Sequence, residues 1–334
     1  MTRSLLCVSV IALVAGAHPV AAQIAKPGDF PPPATQPGRT PEAPKKKEPF
    51  KPAPLPPQPD AELVILTPAS EVRFTTDSPD LGARSSESAL LREDPRTGAC
   101  ELLVRLPPGF RLRPHWHTAN QTHTVLRGAY SMSERNTPLV EMGAGAFNFT
   151  PGLLVHEGRV TGGEAALLYV TFDRKRDQKL VEDEGQPPRP LGEGQPEMRE
   201  KFLIVQPGQV RWKPLAEGLA AEVAVLHENK GSGAGSVMLR TAGPICLPKH
   251  WHTAGVAAVV LSGSLDVPRG GGRVTLDTGS YAYLPPKLAH EAWTGPRGVT
   301  LLLTTDGAWD VNWVEDPAGA APAPPPAEPK ERKE

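Results

Sequence analysis

Short runs rich in Val, Leu and Thr recur along most of the chain, and Gly, Pro, Asn and Asp bound them. Runs of this length and composition are typical of β-strands. The clearest examples are residues 62–66, 100–106, 121–126, 165–172, 222–226, 257–261 and 299–305. Many short strands separated by turn residues predict an all-β protein built from sandwiches or barrels.

A polar segment, residues 173–200, interrupts this pattern in the middle of the chain. We interpret it as a linker between two domains, with room for one helical turn at its start. Residues 23–60 and the tail 317–334 are rich in Pro and too poor in apolar residues to fold, so we predict disordered extensions. The remaining segments, 61–172 and 201–316, are each long enough for one domain of ordinary size.

The N-terminal residues 1–22 have the features of a secretory signal peptide. Arg3 precedes an apolar run over residues 5–15, and small residues lead to Ala22, where we predict cleavage. The run is too short to span a bilayer, which needs about 20 apolar residues. No twin-arginine pair is present and no other segment is apolar enough to cross a membrane. We therefore expect a secreted or periplasmic protein, exported unfolded.

Charge and cysteine content narrow the classes of partner. The formal net charge is -1, whereas proteins that bind nucleic acid usually carry a strongly basic face. We therefore expect no nucleic-acid partner. After signal cleavage Cys100 and Cys246 are the remaining cysteines. Export permits a disulfide between them, and isolated core thiols are the alternative.

A repeat relates the two halves of the chain. The sequence His-Trp-His-Thr-Ala at residues 115–119 recurs at 250–254, so these copies lie 135 positions apart. Each copy is followed at equal spacing by Gly, then by a Gly, Pro and His series. Six of the nine histidines occupy matched positions, namely His115, His117, His156, His250, His252 and His290. We infer an internal duplication.

The spacing of these histidines suits a metal site. Residues i and i+2 of a strand point to one face, so His115 and His117 project together. His156 lies on a later strand and is expected to close the site from across a barrel. Imidazole nitrogens bind divalent transition metals at roughly 2.0–2.2 Å, and three such ligands leave positions open for water or substrate. The same reasoning applies to the second copy.

Both copies resemble the cupin family, whose motifs read G-x5-H-x-H-x(3,4)-E-x6-G and G-x5-P-x-G-x2-H-x3-N. The first copy carries Gly109, His115, His117, Gln121 in the Glu position, Gly128, Gly145, Pro151, Leu153 in place of Gly, and His156. The second carries Gly243 one residue early, His250, His252, Val256 in the Glu position, Gly263, Gly279, Pro285, Lys287 in place of Gly, and His290. The resemblance covers about 62–172 and 201–315. It implies two tandem cupin barrels, of the double-stranded β-helix or jelly-roll fold, each holding a divalent metal.

Both copies depart from the family at the acidic ligand. With Gln121 the first site has three histidines and a neutral amide, and with Val256 the second has three histidines alone. Losing a carboxylate raises the net charge of a site and weakens its hold on hard cations. We therefore favour Zn or Cu, with Fe, Mn or Ni as alternatives. Three-histidine iron sites occur among cupin oxygenases, so catalysis stays open.

Other polar residues are candidates for catalysis in the first barrel. His123 shares strand parity with Gln121, and its counterpart is Ala258. It is either a catalytic group or a supporting histidine. Arg111 and Arg113 share parity with His115 and are candidates to meet an anionic substrate, the alternative being a solvated face. These residues make the first barrel the expected place for chemistry.

Three function classes remain open from the sequence, because the cupin fold hosts many activities. The first is a metal-dependent dioxygenase acting on a small molecule. The second is a non-catalytic metal-binding, ligand-binding or sensor protein of the cell envelope. The third is a structural module of a larger surface assembly. A homo-oligomer is compatible with all three.

Overall fold

The computed structural model describes residues 50–188 and 200–319. The predicted signal peptide, the spacer up to residue 49, residues 189–199 of the linker and the tail from residue 320 lie outside the described residues. None of the helices in the described ranges has the length and apolar character needed to cross a membrane.

Twelve short strands and one helical turn occupy the chain before residue 189. They are β1 (Ile65–Thr67), β2 (Thr75–Thr76), β3 (Glu87–Glu93), β4 (Cys100–Leu106), β5 (Arg111–Trp116), β6 (Gln121–Arg127), β7 (Tyr130–Glu134), β8 (Val140–Met142), β9 (Phe147–Thr150), β10 (His156–Val160), β11 (Ala166–Phe172), β12 (Lys179–Leu180) and α1 (Val181–Glu184). The predicted strands 100–106, 121–126 and 165–172 agree closely with β4, β6 and β11. The helical turn α1 lies within the predicted linker.

The second part of the chain contains ten more strands, two of them long. They are β13 (Leu203–Val205), β14 (Lys213–Pro214), β15 (Ala221–Glu228), β16 (Gly235–Thr241), β17 (Cys246–Trp251), β18 (Val256–Arg269), β19 (Gly272–Asp277), β20 (Tyr281–Leu284), β21 (His290–Thr305) and β22 (Asn312–Trp313). Short 3-10 helices at Ala61–Leu63, Ala69–Glu71, Pro79–Arg84, Pro207–Gln209 and Pro317–Gly319 complete the described elements.

Two antiparallel sheets build the first barrel. Their strand orders are β13-β9-β6-β11-β4-β3-β2 and β12-β5-β10-β7-β8. Both sheets contribute side chains to one apolar core, because alternate residues of each strand point inward. That core includes Leu102, Leu106, Val125, Tyr130, Met132, Met142, Leu168 and Val170.

The second barrel is a single ten-stranded sheet. Its main path is β1-β20-β18-β21-β16-β15-β14, with β17 paired to β21 and β22, and β19 paired to β18. The long strand β21 pairs with β17 near its start and with β16 and β18 further along. One strand therefore links the histidine strand to the rest of the barrel. The all-β prediction with two barrels is confirmed.

The barrels exchange one strand each. Strand β1, from the N-terminal side, pairs with β20 of the second barrel, and β13, which follows the linker, pairs with β9 of the first. A shared apolar core joins the barrels, with Leu103, Phe147, Phe149 and Tyr169 from the first and Met238, Val259, Tyr281 and Leu302 from the second. Each fully buried side chain of this size stabilises the junction by about 1.5–3 kcal/mol. The barrels are thus one body rather than two beads on a linker.

The internal repeat is also visible at the junction between the barrels, where two equivalent ring contacts occur. The Arg92 guanidinium lies 3.8 Å from the ring centroid of Tyr283. The His227 ring stacks on Phe149 at 3.6 Å between centroids. Residues 92 and 227, and residues 149 and 283, are matched positions of the repeat. The two contacts are therefore equivalent under an approximate two-fold relation.

The end of the predicted disordered spacer has defined contacts, which corrects that part of the prediction. Ala53 N donates to Trp313 O at 2.7 Å, and Gln58 Oε1 accepts from Ala289 N at 2.9 Å. These backbone groups lie beside the second barrel, so residues 50–60 run along its surface. The prediction of disorder rested on the low apolar content of this segment. Apolar content gives no information about hydrogen bonds of this kind.

Candidate metal centres

Three histidines converge inside the first barrel. His115 and His156 are direct partners in the β5–β10 register, and His117 follows β5 on the same face. Ring centroids of the three lie 4.2–5.3 Å apart. His156 therefore closes the cluster from the neighbouring strand, and not from across the barrel as the sequence suggested. The adjacent position follows from the pairing of β5 with β10.

The second barrel repeats this arrangement. His250 and His290 are partners in the β17–β21 register, and His252 follows β17. The ring centroids are 4.2–5.3 Å apart, as in the first barrel. In each cluster one nitrogen from each histidine lies within 4.8 Å of the other two.

Backbone carbonyls fix the orientation of the rings. The Nδ1 atoms of His115 and His156 lie 2.7 and 3.0 Å from the carbonyl oxygens of Arg113 and Leu154. In the second barrel the Nδ1 atoms of His250 and His290 lie 2.6 and 3.0 Å from those of Pro248 and Leu288. A carbonyl oxygen only accepts, so Nδ1 carries the proton and Nε2 is left as a free donor for a metal.

The Nε2 atoms show the fit to a metal ion directly. In the first barrel those of His115, His117 and His156 are buried and have no hydrogen-bond partner. Leaving a buried polar atom unpaired costs about 1–3 kcal/mol, and three such atoms converge here. Three neutral imidazoles are suitable ligands for a divalent transition metal. The residues of both clusters therefore fit such an ion.

Comparison with known proteins agrees with this geometry. A family model, the ChrR Cupin-like domain, matches residues 200–310. A crystal structure of a candidate dioxygenase from Nostoc punctiforme matches with a TM-score of 0.60 and 17% identity, covering 78% of this chain and 87% of that one. Residues 200–310 thus match a cupin-like domain, and the described chain has the cupin fold. Two barrels in tandem make it a bicupin.

Other bicupins match over a similar length. An oxalate decarboxylase mutant from Bacillus subtilis gives a TM-score of 0.52 and 14% identity, covering 75% of this chain and 79% of that one. The oxalate decarboxylase of Lactobacillus farciminis, in complex with formate, gives 0.53 and 11%, covering 75% and 88%. None of the curated proteins matches. Identities this low establish the fold alone.

Burial keeps the histidines of the two clusters uncharged. Desolvation, with the neighbouring His117 adding to it, lowers the pKa of His115 to about 3. Desolvation and His252 lower the pKa of His290 to about 3. For His156 and His250 the same causes hold the pKa well below its usual range. Neutral imidazoles at physiological pH are the form that binds a metal.

An aspartate that the sequence analysis missed holds the remaining histidine of each cluster. The His252 Nδ1 atom lies 2.5 Å from the Asp310 carbonyl oxygen, and the Asp310 carboxylate accepts from Thr253 N at 2.8 Å. In the first barrel Asp177 makes the equivalent contacts with His117 and Thr118. We call residues 173–180 and 306–313 the straps, because each returns along the histidine strand of its barrel. The repeated Asp-x3-Asp spacing at their starts was a signal for them.

Two residues in the left-handed region support the histidine strands. Leu153 and Lys287 have φ of 63° and 67° and occupy the positions where the cupin motif has Gly. Their backbone N–H groups donate to the carbonyl oxygens of His117 and His252 at 2.7 and 2.8 Å. Such a conformation costs a non-glycine residue roughly 1–2 kcal/mol. The bicupin retains the turn although both glycines are replaced.

Gln121 and His123 lie in the interior of the first barrel, as their strand parity predicts. The Gln121 Oε1 atom is buried without a partner. Gln121 pairs in register with Phe172, whose ring lies 5.2 Å from that of His117. The His123 Nδ1 atom lies 3.1 Å from Asn148 Oδ1. Gln121 therefore offers a buried, unpaired oxygen inside this barrel, while His123 is held by an amide.

The two candidate arginines do not join the cluster. Arg111 and Arg113 are exposed, and Arg113 forms an ion pair with Glu182 of α1. The β5–β10 register shifts between Leu112 and His115, so the alternation that would carry both arginines to the face of His115 is broken. The solvated-face alternative describes both residues. Cys100 and Cys246 are free thiols, so the alternative of isolated cysteines holds.

A cavity adjoins the second cluster. It has a volume of about 70 Å³. The residues that line it include His250, His252, His290 and Glu291, and the others are apolar or aromatic, among them Trp309 of the strap. The ring centroid of Trp309 lies 4.9 Å from that of His252. A small molecule in this cavity would lie against the histidine cluster.

Proposed function

We propose that this bicupin is an exported metalloprotein that binds one divalent transition metal ion on three histidines in each barrel. The observation that carries the proposal is the set of buried, unpaired Nε2 atoms, with every Nδ1 proton held by a backbone carbonyl. The second barrel repeats the three converging rings and their Nδ1–carbonyl contacts. A histidine kept only for packing would satisfy both of its nitrogens.

The two sites differ in access, which supports different roles. In the first barrel the three Nε2 atoms and Gln121 Oε1 are all buried, as in closed sites that hold a metal for structure. The second cluster borders a cavity, as in sites that keep a position open for a ligand. We therefore place small-molecule binding in the second barrel. The sequence analysis favoured the first barrel for chemistry, because His123 has no polar counterpart in the second barrel.

If the protein is an enzyme, we propose that it is a dioxygenase-type oxidoreductase. A bound metal would act as a Lewis acid toward an oxygen atom of the substrate. The chain would hold the three imidazoles neutral and in place, and its apolar walls would keep bulk water from the site.

A non-catalytic ligand-binding or sensor protein of the envelope is the second candidate. It is favoured by the scarcity of acid–base groups at the second cluster, where apolar side chains fill most of the wall. Metal-loaded protein incubated in air with a small aliphatic diketone, which suits a cavity of about 70 Å³, distinguishes the two. Turnover supports the enzyme, whereas saturable binding without product supports the binder.

The identity of the metal and the location of the protein belong to the same proposal. Imidazole sites without a carboxylate favour Cu and Zn over Fe and Mn, so we propose Zn or Cu. Mass spectrometry of protein recovered from the cell envelope is the test. We expect a chain beginning at Gln23 with stoichiometric Zn or Cu. Stoichiometric Fe or Mn would contradict the metal assignment, and a chain beginning at Met1 would contradict export.

A further inference from the structure

The interiors of the two barrels differ at four matched positions near the metal clusters. In the first barrel Gln121 pairs with Thr150, and His123 pairs with Asn148, in the β6–β9 register. In the second barrel the β18–β20 register pairs Val256 with Leu284 and Ala258 with Ala282. We call these sets the polar quartet and the apolar quartet. Every polar side chain of the first set is replaced by an apolar one in the second.

The polar quartet is buried and largely bonded within itself. Asn148 Oδ1 accepts from Thr150 Oγ1 at 2.9 Å and lies 3.1 Å from His123 Nδ1. The Asn148 side chain also donates to Leu203 O at 2.9 Å. This chain of hydrogen bonds fills the first barrel beside its cluster.

The apolar quartet forms part of the cavity wall in the second barrel. Val256, Ala258, Ala282 and Leu284 all line it, together with Leu66, which arrives on the exchanged strand β1. The three histidines and Trp309 also line the cavity. Beyond the histidine cluster, Glu291 and the indole N–H of Trp309 are the groups among the cavity's lining residues that offer a charge or a hydrogen bond.

We propose that the cavity of the second barrel selects an apolar ligand, a short branched hydrocarbon body with a small head that binds the metal through one or two oxygen atoms. This inference rests on the proposed function, because the head requires a metal on His250, His252 and His290. A dicarboxylate or a sugar would leave polar groups unpaired against aliphatic walls, which disfavours it. A cavity of about 70 Å³ admits a body of only a few carbon atoms.

Two hydroxamates with the same head test the selection. Cobalt-loaded protein is titrated calorimetrically with acetohydroxamate and with isobutyrohydroxamate, and with oxalate as the polar dianion. Burying two further carbon groups favours isobutyrohydroxamate by about tenfold, and oxalate should bind more weakly than either. Equal affinities for the two hydroxamates, or tighter binding of oxalate, would overturn the inference.

Substitutions test whether the apolar quartet causes this ligand preference. Val256→Thr replaces one methyl group by a hydroxyl at nearly constant shape. The preference for isobutyrohydroxamate over acetohydroxamate should then fall to less than threefold, with the metal content unchanged. Val225→Thr is the matched control, because Val225 lies exposed on β15, and it should keep the tenfold preference. Ala258→Ser replaces Val256→Thr if that variant fails to fold. A preference that survives in both quartet variants would contradict the inference.

Metal content separates this inference from the proposed function. A second barrel that takes up no cobalt overturns both. Cobalt bound at the second barrel without any preference between the hydroxamates overturns the apolar ligand alone and leaves the metal site standing.

Discussion

Acid should destabilise the metal-free protein at unusually mild pH. The pKa is lowered to about 3 for His115 and His290 and to about 4 for His123, with burial as the main cause in each. An unfolded histidine titrates near 6.5. Between pH 6.5 and these lower values the unfolded chain takes up protons that the folded chain refuses. Stability is therefore complete above pH 6.5 and is lost as the pH falls.

The magnitude at pH 5 follows from this difference. Each of the three histidines favours the unfolded state there by about 2 kcal/mol, since one pH unit corresponds to about 1.4 kcal/mol. Together they remove about 6 kcal/mol, comparable with the 5–15 kcal/mol that holds a typical domain folded. Burial raises the pKa of Glu101, which acts in the opposite sense, but it is a single group.

Urea unfolding of chelator-treated protein at pH 8, 7, 6 and 5 measures the effect. We expect no change in the free energy of unfolding from pH 8 to 7 and a loss of several kcal/mol by pH 5. His123→Gln should lessen the loss at pH 5 by about 2 kcal/mol, because it removes one titrating side chain. A free energy that stays flat from pH 7 to 5 would refute the view that these histidines are buried and neutral.

Three further predictions concern the straps, the turns and the junction. Asp310→Ala keeps the backbone carbonyl that faces His252 but removes the carboxylate that anchors that segment to Thr253. It should weaken metal binding at the second site by about tenfold, the lower end of the effect of supporting groups, in a chelator competition where Asp306→Ala serves as control. Lys287→Gly should raise the free energy of unfolding by about 1 kcal/mol because φ is 67° there, whereas Lys287→Ala should bring no such gain in urea unfolding. Tyr281→Phe removes the 2.9 Å hydrogen bond to Glu101 and should cost about 1–3 kcal/mol in thermal unfolding, and an unchanged melting temperature would count against a buried carboxylate at the junction.

Much of the fold and the clusters could be predicted from the sequence, since their signals are local or repeated. The i, i+2 spacing of His115 and His117 places both on one strand face, and the repeat identifies the second copy. Strand parity alone placed His123 in the barrel interior. Which strands pair with each other was harder to predict. The position of His156 on the strand next to β5 follows only from the sheet topology.

Features that depend on distant contacts were not predictable in this way. Nothing within residues 62–66 shows that β1 pairs with the second barrel, because an edge strand accepts any partner of suitable register. The apolar character of the second cavity could be recognised only once the register had paired Asn148 and Thr150 with their partners on β6. Asp177 and Asp310 were overlooked because an aspartate after a strand usually caps a turn.

Metal stoichiometry in paired variants tests the central claim most directly. Purified chain is loaded with Zn, desalted and measured by mass spectrometry, together with the His115→Ala/His117→Ala double variant and the His250→Ala/His252→Ala double variant. We expect two ions in the parent chain, one in each double variant and two in a His227→Ala control. Two ions remaining in either double variant would contradict the account that each barrel holds its metal on these histidines.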